Sequence, residues 1–367
     1  MKLSMKLREL LCSLLSAHAA TSLIYFSYMY GEITNQIILQ VFFLGSVCIA
    51  LFLFIRNSLS HVVLISSLIK LVIILSHNEL YLTRYVDIFL SGLIASTSII
   101  FAIGEVSKSE SKPKASSRLL IYINIITLTL VSVLSYLSTP SFITTVYLAS
   151  LLLIIFYMYI GGHGSLERPN YTRIYAVFKK IPTIAILVYM CAVFTINTFY
   201  LIVGELDLNS GYFNEFTVFY IQLAFIIGVF ISFITIKKIN INFNKYSFLG
   251  LTLISVTFFV FKDSFERVSV PTFLGSLVIG FLTSFVISNT ISEFSTLSKN
   301  YEKITLVTCL TAGQFFLSII VQGGSKLVGV AVTDWDTVIY ITLLPIAAKV
   351  LIPKYLTHEK GREKNVI

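Results

Sequence analysis

Residues 85–107 read YVDIFLSGLIASTSIIFAIGEVS, and the spacing of charge in that stretch decides the fold. From Ile88 through Gly104 no side chain is ionisable, and Asp87 and Glu105 bound the run. A helix rising about 1.5 Å per residue carries such a run through most of a hydrocarbon layer about 30 Å thick. Helix is the form required, because lipid offers the backbone no hydrogen bonds and the period-two alternation of a barrel strand is missing. The rest of the chain has the same texture. Of 367 residues 56% are hydrophobic and 12% charged, and mean hydropathy is +0.87, where a water-soluble fold carries about 25% charge. The reading is an all-α, polytopic membrane protein.

Apolar runs mark twelve spans, at 9–30, 36–55, 60–76, 85–104, 119–137, 142–161, 181–203, 216–236, 247–261, 272–292, 304–322 and 338–352. Pro182 and Pro271 fall in the first turn of a span, where a missing amide proton costs nothing. Pro140 reads as a turn between spans, and Pro345 alone lies inside one, where a kink is expected. Cys12, Cys48, Cys191 and Cys309 all fall inside spans without the paired spacing of a disulfide framework or zinc site, so they read as buried thiols. The first span has a rival reading as a signal peptide, with Ala17-His18-Ala19 as the cleavage site. Its apolar stretch runs on to Tyr30, long enough to stay as a helix.

The net charge of +9 does not point to nucleic acid, which needs basic residues gathered on one wet face. Here they sit in short clusters between spans. Lysine and arginine favour cytoplasmic loops. With the amino terminus inside, those loops hold Arg8, Arg56, Lys108, Lys112, Arg118, Arg173, Lys180, Lys237, Lys299, Lys303, Lys354 and most of the other basic residues. Arg84, Lys262, Arg267 and Lys326 are left outside, and Lys70 within a span. Both termini are therefore expected in the cytoplasm, with a bacterial cytoplasmic membrane as the setting.

The stretch 92–107, GLIASTSIIFAIGEVS, returns 188 residues later as GFLTSFVISNTISEFS at 280–295. Identical pairs are Gly92/Gly280, Ser96/Ser284, Ile99/Ile287, Ile103/Ile291, Glu105/Glu293 and Ser107/Ser295. Both windows are the inner half of a span, the fourth and the tenth. Six spans apart the chain points the same way, so two parallel six-helix halves are implied. The expected division is 1–161 for the first bundle, 162–180 for a cytoplasmic linker, 181–353 for the second bundle and 354–367 for a tail.

On this topology, its repeat, and the small-residue texture of 280–293 and 303–324, the chain resembles the major facilitator superfamily of secondary transporters. The loop 54–61 keeps Arg56 and His61 of that family's charged loop between spans two and three, and the fifth span lacks the Gly-Pro pair of its drug/proton antiporters. The resemblance implies two bundles rocking about a midplane cavity lined by spans one, four, seven and ten, with two, five, eight and eleven beside them. It also implies a monomer.

Ionisable groups in a bilayer are expensive and functional by default. Lys70 lies about 10 Å below the outer end of its span at 1.5 Å per residue, and Asp87 lies on the other arm of that hairpin. The two are expected to pair, with a lone snorkelling Lys70 as the alternative. Polar residues at helical spacing supply the candidate substrate ligands: His18, Ser22, Tyr25, Asn124, Asn197, Tyr200 and Gln314. Interhelical hydrogen bonding is the plainer role for the same side chains. Glu32, Lys70, Asp87, Glu105 and Glu293 are the candidates for coupling and gating. His18, Glu32 and Asp87 suggest protons as the coupling ion, His18 because imidazole titrates near neutral pH.

An uncharged cavity favours a small neutral, zwitterionic or amphipathic organic solute, and on that ground export over uptake. No metal cluster, phosphate loop or nucleophile motif appears in the sequence, so no cofactor and no enzyme activity are expected. Arg8 and His18 faintly echo the spacing of membrane acyltransferases that decorate glycans, one residue short. That activity and a transport-inactive partner or sensor are the alternatives. Polysaccharide polymerases carry a long arginine-rich external loop, whereas 323–337 holds one lysine and no arginine.

Overall fold

A computed structural model describes residues 5–49, 59–76, 81–136, 140–160, 177, 180–181, 183–209, 217–238, 243–267, 270–297 and 299–328. The chain runs through α1 (Met5–Met29), α2 (Asn35–Val47), α3 (Leu59–Leu75), α4 (Tyr81–Val106), α5 (Lys112–Tyr136) and α6 (Pro140–Ile160). A second series follows: α7 (Thr183–Asn209), α8 (Thr217–Lys238), α9 (Phe243–Arg267), α10 (Val270–Phe294) and α11 (Asn300–Val328). Each answers in order to one of the first eleven expected spans. The twelfth, at 338–352, lies outside the described residues, as do most of the expected linker and the tail. Among the described residues seven helices are long and apolar enough to cross a membrane, and shorter apolar stretches occupy α2, α3, α6 and α9.

Several ends differ from the sequence reading for local reasons. Pro140 is the first residue of α6 rather than part of a turn, because its fixed φ suits the first helical position and its missing N–H has no intrahelical partner there. Pro271 sits in the first turn of α10, as expected. Helices α9 and α11 run past their apolar segments, since a helix continues into polar sequence until something caps or breaks it.

The repeat is visible in the packing. Within the first half α2 and α1 both pack on α4, α1 on α5 and α3 on α4; in the second α8 and α7 pack on α10, and α9 on α10. Between the halves α2 meets α11, α5 meets α8, α4 meets α11 and α5 meets α10. Exchanging each helix for the one six spans away turns the first of these contacts into the second and the third into the fourth, as a twofold axis along the membrane normal requires.

Glycine sets the closest of these approaches. A Cβ on Gly92 would lie 1.9 Å from the Phe42 carbonyl oxygen, and one on Gly45 2.0 Å from that of Phe89. The second half makes the same crossing, with Gly280 at 2.1 Å from the Phe225 oxygen and Gly228 at 2.0 Å from that of Leu277. Backbones touch only where side chains are absent, which is how membrane helices associate without a hydrophobic drive. Gly92 and Gly280 are the glycine pair of the sequence repeat. Ser46 adds an interhelical bond, its Oγ donating to the Gly92 carbonyl at 2.8 Å.

Charged side chains gather at one end of the bundle. Arg8 lies 3.9 Å from Glu105, Lys108 lies 2.5 Å from the same carboxylate, Arg118 pairs with Glu9, and Lys180 lies 2.6 Å from Glu302. The first three join the start of α1 to the end of α4 and the start of α5, and the fourth joins Lys180 to the start of α11. This is the basic end of the bundle.

Candidate functional site

Among the described residues two polar regions stand out inside the helical body, one within the first half and one between the halves. The first is built on Lys70 and Asp87, both with side chains 0% exposed. Lys70 Nζ lies 2.7 Å from Asp87 Oδ1. It donates to the Tyr147 hydroxyl at 2.7 Å and to Ser91 Oγ, and it stands over the rings of Phe26 and Tyr147, 5.5 and 4.9 Å from their centroids. Asp87 Oδ2 accepts from the Tyr30 hydroxyl at 3.1 Å. Burying an ion pair is tolerable only when hydrogen bonds offset its lost hydration, and here the hydroxyls of Ser91 on α4 itself and of Tyr30 and Tyr147 from two further segments supply them.

The network continues along α1. The Tyr147 and Ser22 hydroxyls share a hydrogen bond of 2.7 Å, and Ser22 also donates to the His18 carbonyl at 2.7 Å. His18 Nδ1 lies 2.8 Å from Ser150 Oγ, and its ring stacks on Tyr147 at 4.9 Å. Tyr25 stacks on the other side of the network, 4.3 Å from the Tyr147 ring. Away from the basic end the chain of contacts leaves the interior: Arg84 lies over Tyr30 at 5.5 Å and pairs at 3.0 Å with Glu32, which is 73% exposed.

The second region is a cavity of about 150 Å³ between the halves. Its wall comes from α1, α2, α4, α5, α7, α10 and α11. Ala19, Ala20, Phe42, Phe43, Ala95 and Ile99 make much of the first half's side, and Tyr189, Val193, Ile196, Ile287 and Ile291 much of the second's. Asn124, Asn197, Tyr200 and Gln314 line it, with Ser16, Ser46, Ser98 and Thr311. Among the described residues of the wall there is no Asp, Glu, Lys, Arg or His. Tyr200 donates to Asn124 Oδ1 at 3.2 Å and accepts from Gln222 Nε2 at 3.4 Å, so one hydrogen-bonded unit ties α5, α7 and α8 together across the cavity's flank.

Beyond the cavity, away from the basic end, α1 and α7 are in tight contact. Ser27 Oγ donates to the Leu201 carbonyl at 3.4 Å, and a Cβ on Gly204 would lie 2.8 Å from the Ser27 Cβ. Toward the basic end, Lys112 Nζ reaches the Ser295 carbonyl at 3.5 Å. Lys303 Nζ stands 4.0 Å from where a Cβ on Gly104 would be.

The residues singled out from sequence therefore divide. Asn124, Asn197, Tyr200 and Gln314 face the cavity. His18, Ser22 and Tyr25 do not line it; they turn into the first half, toward α6. Ser16, Ala19 and Ala20 are the α1 residues that face the cavity, because α1 is wedged between α4, α5 and α7 and presents its polar stripe to the bundle interior. Lys70 and Asp87 are brought together, Glu32 sits at the exposed end of the same chain of contacts, and Glu105 belongs to the basic end. The Glu293 carboxylate has no partner among the described residues. Sequence reasoning passed over Tyr147, Ser150, Ser91 and Gln222. Tyr147 and Ser150 stand three apart on one face of α6, and that helical spacing was the available signal.

No protein-family model and no curated protein sequence matches the chain. Its fold does match solved structures. One is the proton:xylose symporter XylE of the major facilitator superfamily, bound to 6-bromo-6-deoxy-D-glucose, with TM-score 0.62 and 10% identity over 96% of this chain and 94% of that one. Another is a bacterial homologue of the iron transporter ferroportin in an outward-facing state, with TM-score 0.58 and 16% identity over 96% of this chain and 99% of that one. The chain has the major facilitator fold.

Proposed function

We propose that this integral membrane protein is a secondary transporter that carries a small neutral, zwitterionic or amphipathic organic solute by alternating access, in the direction of export. The observation that carries the reading is the cavity between two repeat-related halves, with a wall drawn from seven helices of both and no charged side chain among its described lining residues. Rocking one half against the other about such a cavity moves its opening from one face of the membrane to the other. In this reading residues 1–161 and 181–353 are the moving bundles, 162–180 links them in the cytoplasm, 354–367 is a cytoplasmic tail, and the protein works as a monomer. The basic end faces the cytoplasm of a bacterial cell. The contact of α1 with α7 is then the seal against the outside, and Glu105 and Glu293 belong to the cytoplasmic gate.

Protons are the coupling ion in this reading, and the Lys70–Asp87 core is the coupling element. Protonating Asp87 removes the charge that holds Lys70 and the acceptor strength that holds Tyr30. Tyr30 directly follows α1, and α1 carries the Ser27 contact to α7. A change of charge at Asp87 is therefore transmitted along one helix to the external seal. His18, on the same helix and stacked on Tyr147, is the second proton site, and Arg84 with Glu32 marks the entry.

Ala95, a small residue of the cavity wall, offers the test. In a background lacking Cys12, Cys48, Cys191 and Cys309, Ala95→Cys is exposed to membrane-impermeant thiol reagents from each face of oriented vesicles. Reaction from both faces, with the balance shifting as external pH is changed, is the expected result. Reaction from one face only under every condition tested rules out alternating access.

A further inference from the structure

Resting on the transporter reading, we infer that the cavity takes an uncharged solute about the size of a single ring, with an apolar body and one hydrogen-bond acceptor that is read by Gln314 of α11. Size comes first. A protein cavity of about 150 Å³ holds one benzene, and the space between the halves is of that volume in this conformation, room for one ring.

Charge is decided by the wall. An ion placed there meets no opposite charge among the described lining residues, and an unpaired ion in a low-dielectric site loses its hydration without return. Carboxylates and amines of this size are excluded by that loss.

The acceptor follows from which polar groups are already engaged. Asn124 and Tyr200 bond each other. Ser46, Ser98 and Thr311 donate to helix carbonyls at 2.8, 2.6 and 3.0 Å. Gln314 differs. It is 2% exposed, it lines the cavity, and its Nε2 has no hydrogen-bond partner among the described residues. A buried donor left without an acceptor is rare in folded proteins, and a ligand carbonyl or ether oxygen supplies what is missing. Asn197, half-buried on α7, puts a second amide on the same wall. Opposite them Ala19, Ala20, Phe42, Phe43 and Ala95 offer apolar surface, and the hydroxyls of Ser46 and Ser98 beside them already donate to helix carbonyls, so the open amide donor that reads the solute lies on the second half.

Three probes of one size separate these statements: acetophenone, ethylbenzene and benzoate, measured for equilibrium binding to the full chain in lipid nanodiscs. Acetophenone is expected to bind about tenfold tighter than ethylbenzene, equivalent to about 1.4 kcal/mol, and benzoate at least tenfold more weakly than acetophenone. Gln314→Leu should bring acetophenone and ethylbenzene to equal affinity while ethylbenzene binding persists, which also reports that the variant is folded. Asn197→Leu should reduce the preference for acetophenone by a smaller factor. Benzoate binding as well as acetophenone, an unchanged preference in Gln314→Leu, or no binding by any of the three overturns the inference. The transporter reading fails separately: if Ala95→Cys is reached from one face only while the probe series behaves as expected, the site stands and transport falls. If access alternates while benzoate binds as well as acetophenone, transport stands and the assigned solute class falls.

Discussion

Replacing Lys70 by Met removes the ammonium while keeping an unbranched stem of similar length, so the loss is charge rather than volume. In the native protein both partners are 0% exposed and 2.7 Å apart. Removing one partner of a buried pair leaves the other charge uncompensated and costs about 3–5 kcal/mol. Asp87→Asn leaves Lys70 without its counter-ion, with Tyr147, Ser91 and the main-chain carbonyl of position 87 as neutral acceptors, and should cost a similar amount. The double variant K70M/D87N has no buried charge at all. Replacing a whole buried pair by neutral groups is commonly close to neutral or even stabilising by about 1–4 kcal/mol, so the double variant should be more stable than either single one. Thermal unfolding in nanodiscs reads this directly. At about 2 °C per kcal/mol for a chain of this size, each single variant should melt about 5–10 °C below the native protein, with the double variant recovering most of that difference. Single losses that simply add in the double variant would refute the pairing argument. The functional half of the reasoning falls by a different result: if K70M alone leaves the pH-dependent access of Ala95→Cys unchanged, the pair has no part in coupling.

Gly92→Ala and Gly280→Ala should each destabilise the protein by about 3 kcal/mol or more, because added Cβ atoms overlap the carbonyls of Phe42 and Phe225 and force two helices apart. Gly104→Ala, with Lys303 Nζ as its nearest neighbour at 4.0 Å, should fold normally; yield and melting temperature distinguish the three. Tyr147→Phe keeps both ring stacks and loses hydrogen bonds to Lys70 and Ser22, for an expected cost of about 1–3 kcal/mol by the same unfolding assay. Arg84→Ala breaks a pair whose carboxylate is mostly in water and should change stability by less than about 1 kcal/mol. Reporter fusions at Lys108 and Lys237 should lie on the same, cytoplasmic face, and opposite faces would dismantle the span order.

The positions of the first eleven helices were legible because the bilayer imposes a length of apolar sequence on each, and that length is written along the chain. The duplication was legible for a related reason. Gly92 and Gly280 meet the Phe42 and Phe225 carbonyls in the same crossing, and a site that admits no side chain keeps its glycine in both copies. Pro140 was misread as a turn because proline suits a turn and a first helical position equally well.

The candidate site was less legible. A polar stripe on a membrane helix says which face is polar, not which neighbour that face meets. His18, Ser22 and Tyr25 share such a stripe with no mark to separate it from the stripe of Asn197 and Tyr200, yet one turns into a bundle and the other into a cavity. Tyr147 gained its place by lying opposite Lys70 in space, far from it in sequence. By itself the sequence determined what lipid controls: how many residues each helix needs, which ends carry charge, and that the chain repeats. Tertiary structure alone decided which buried polar atoms satisfy one another and which, like the Gln314 amide, are left open, because that depends on the rotation of each helix about its axis, a quantity set by all of its neighbours together.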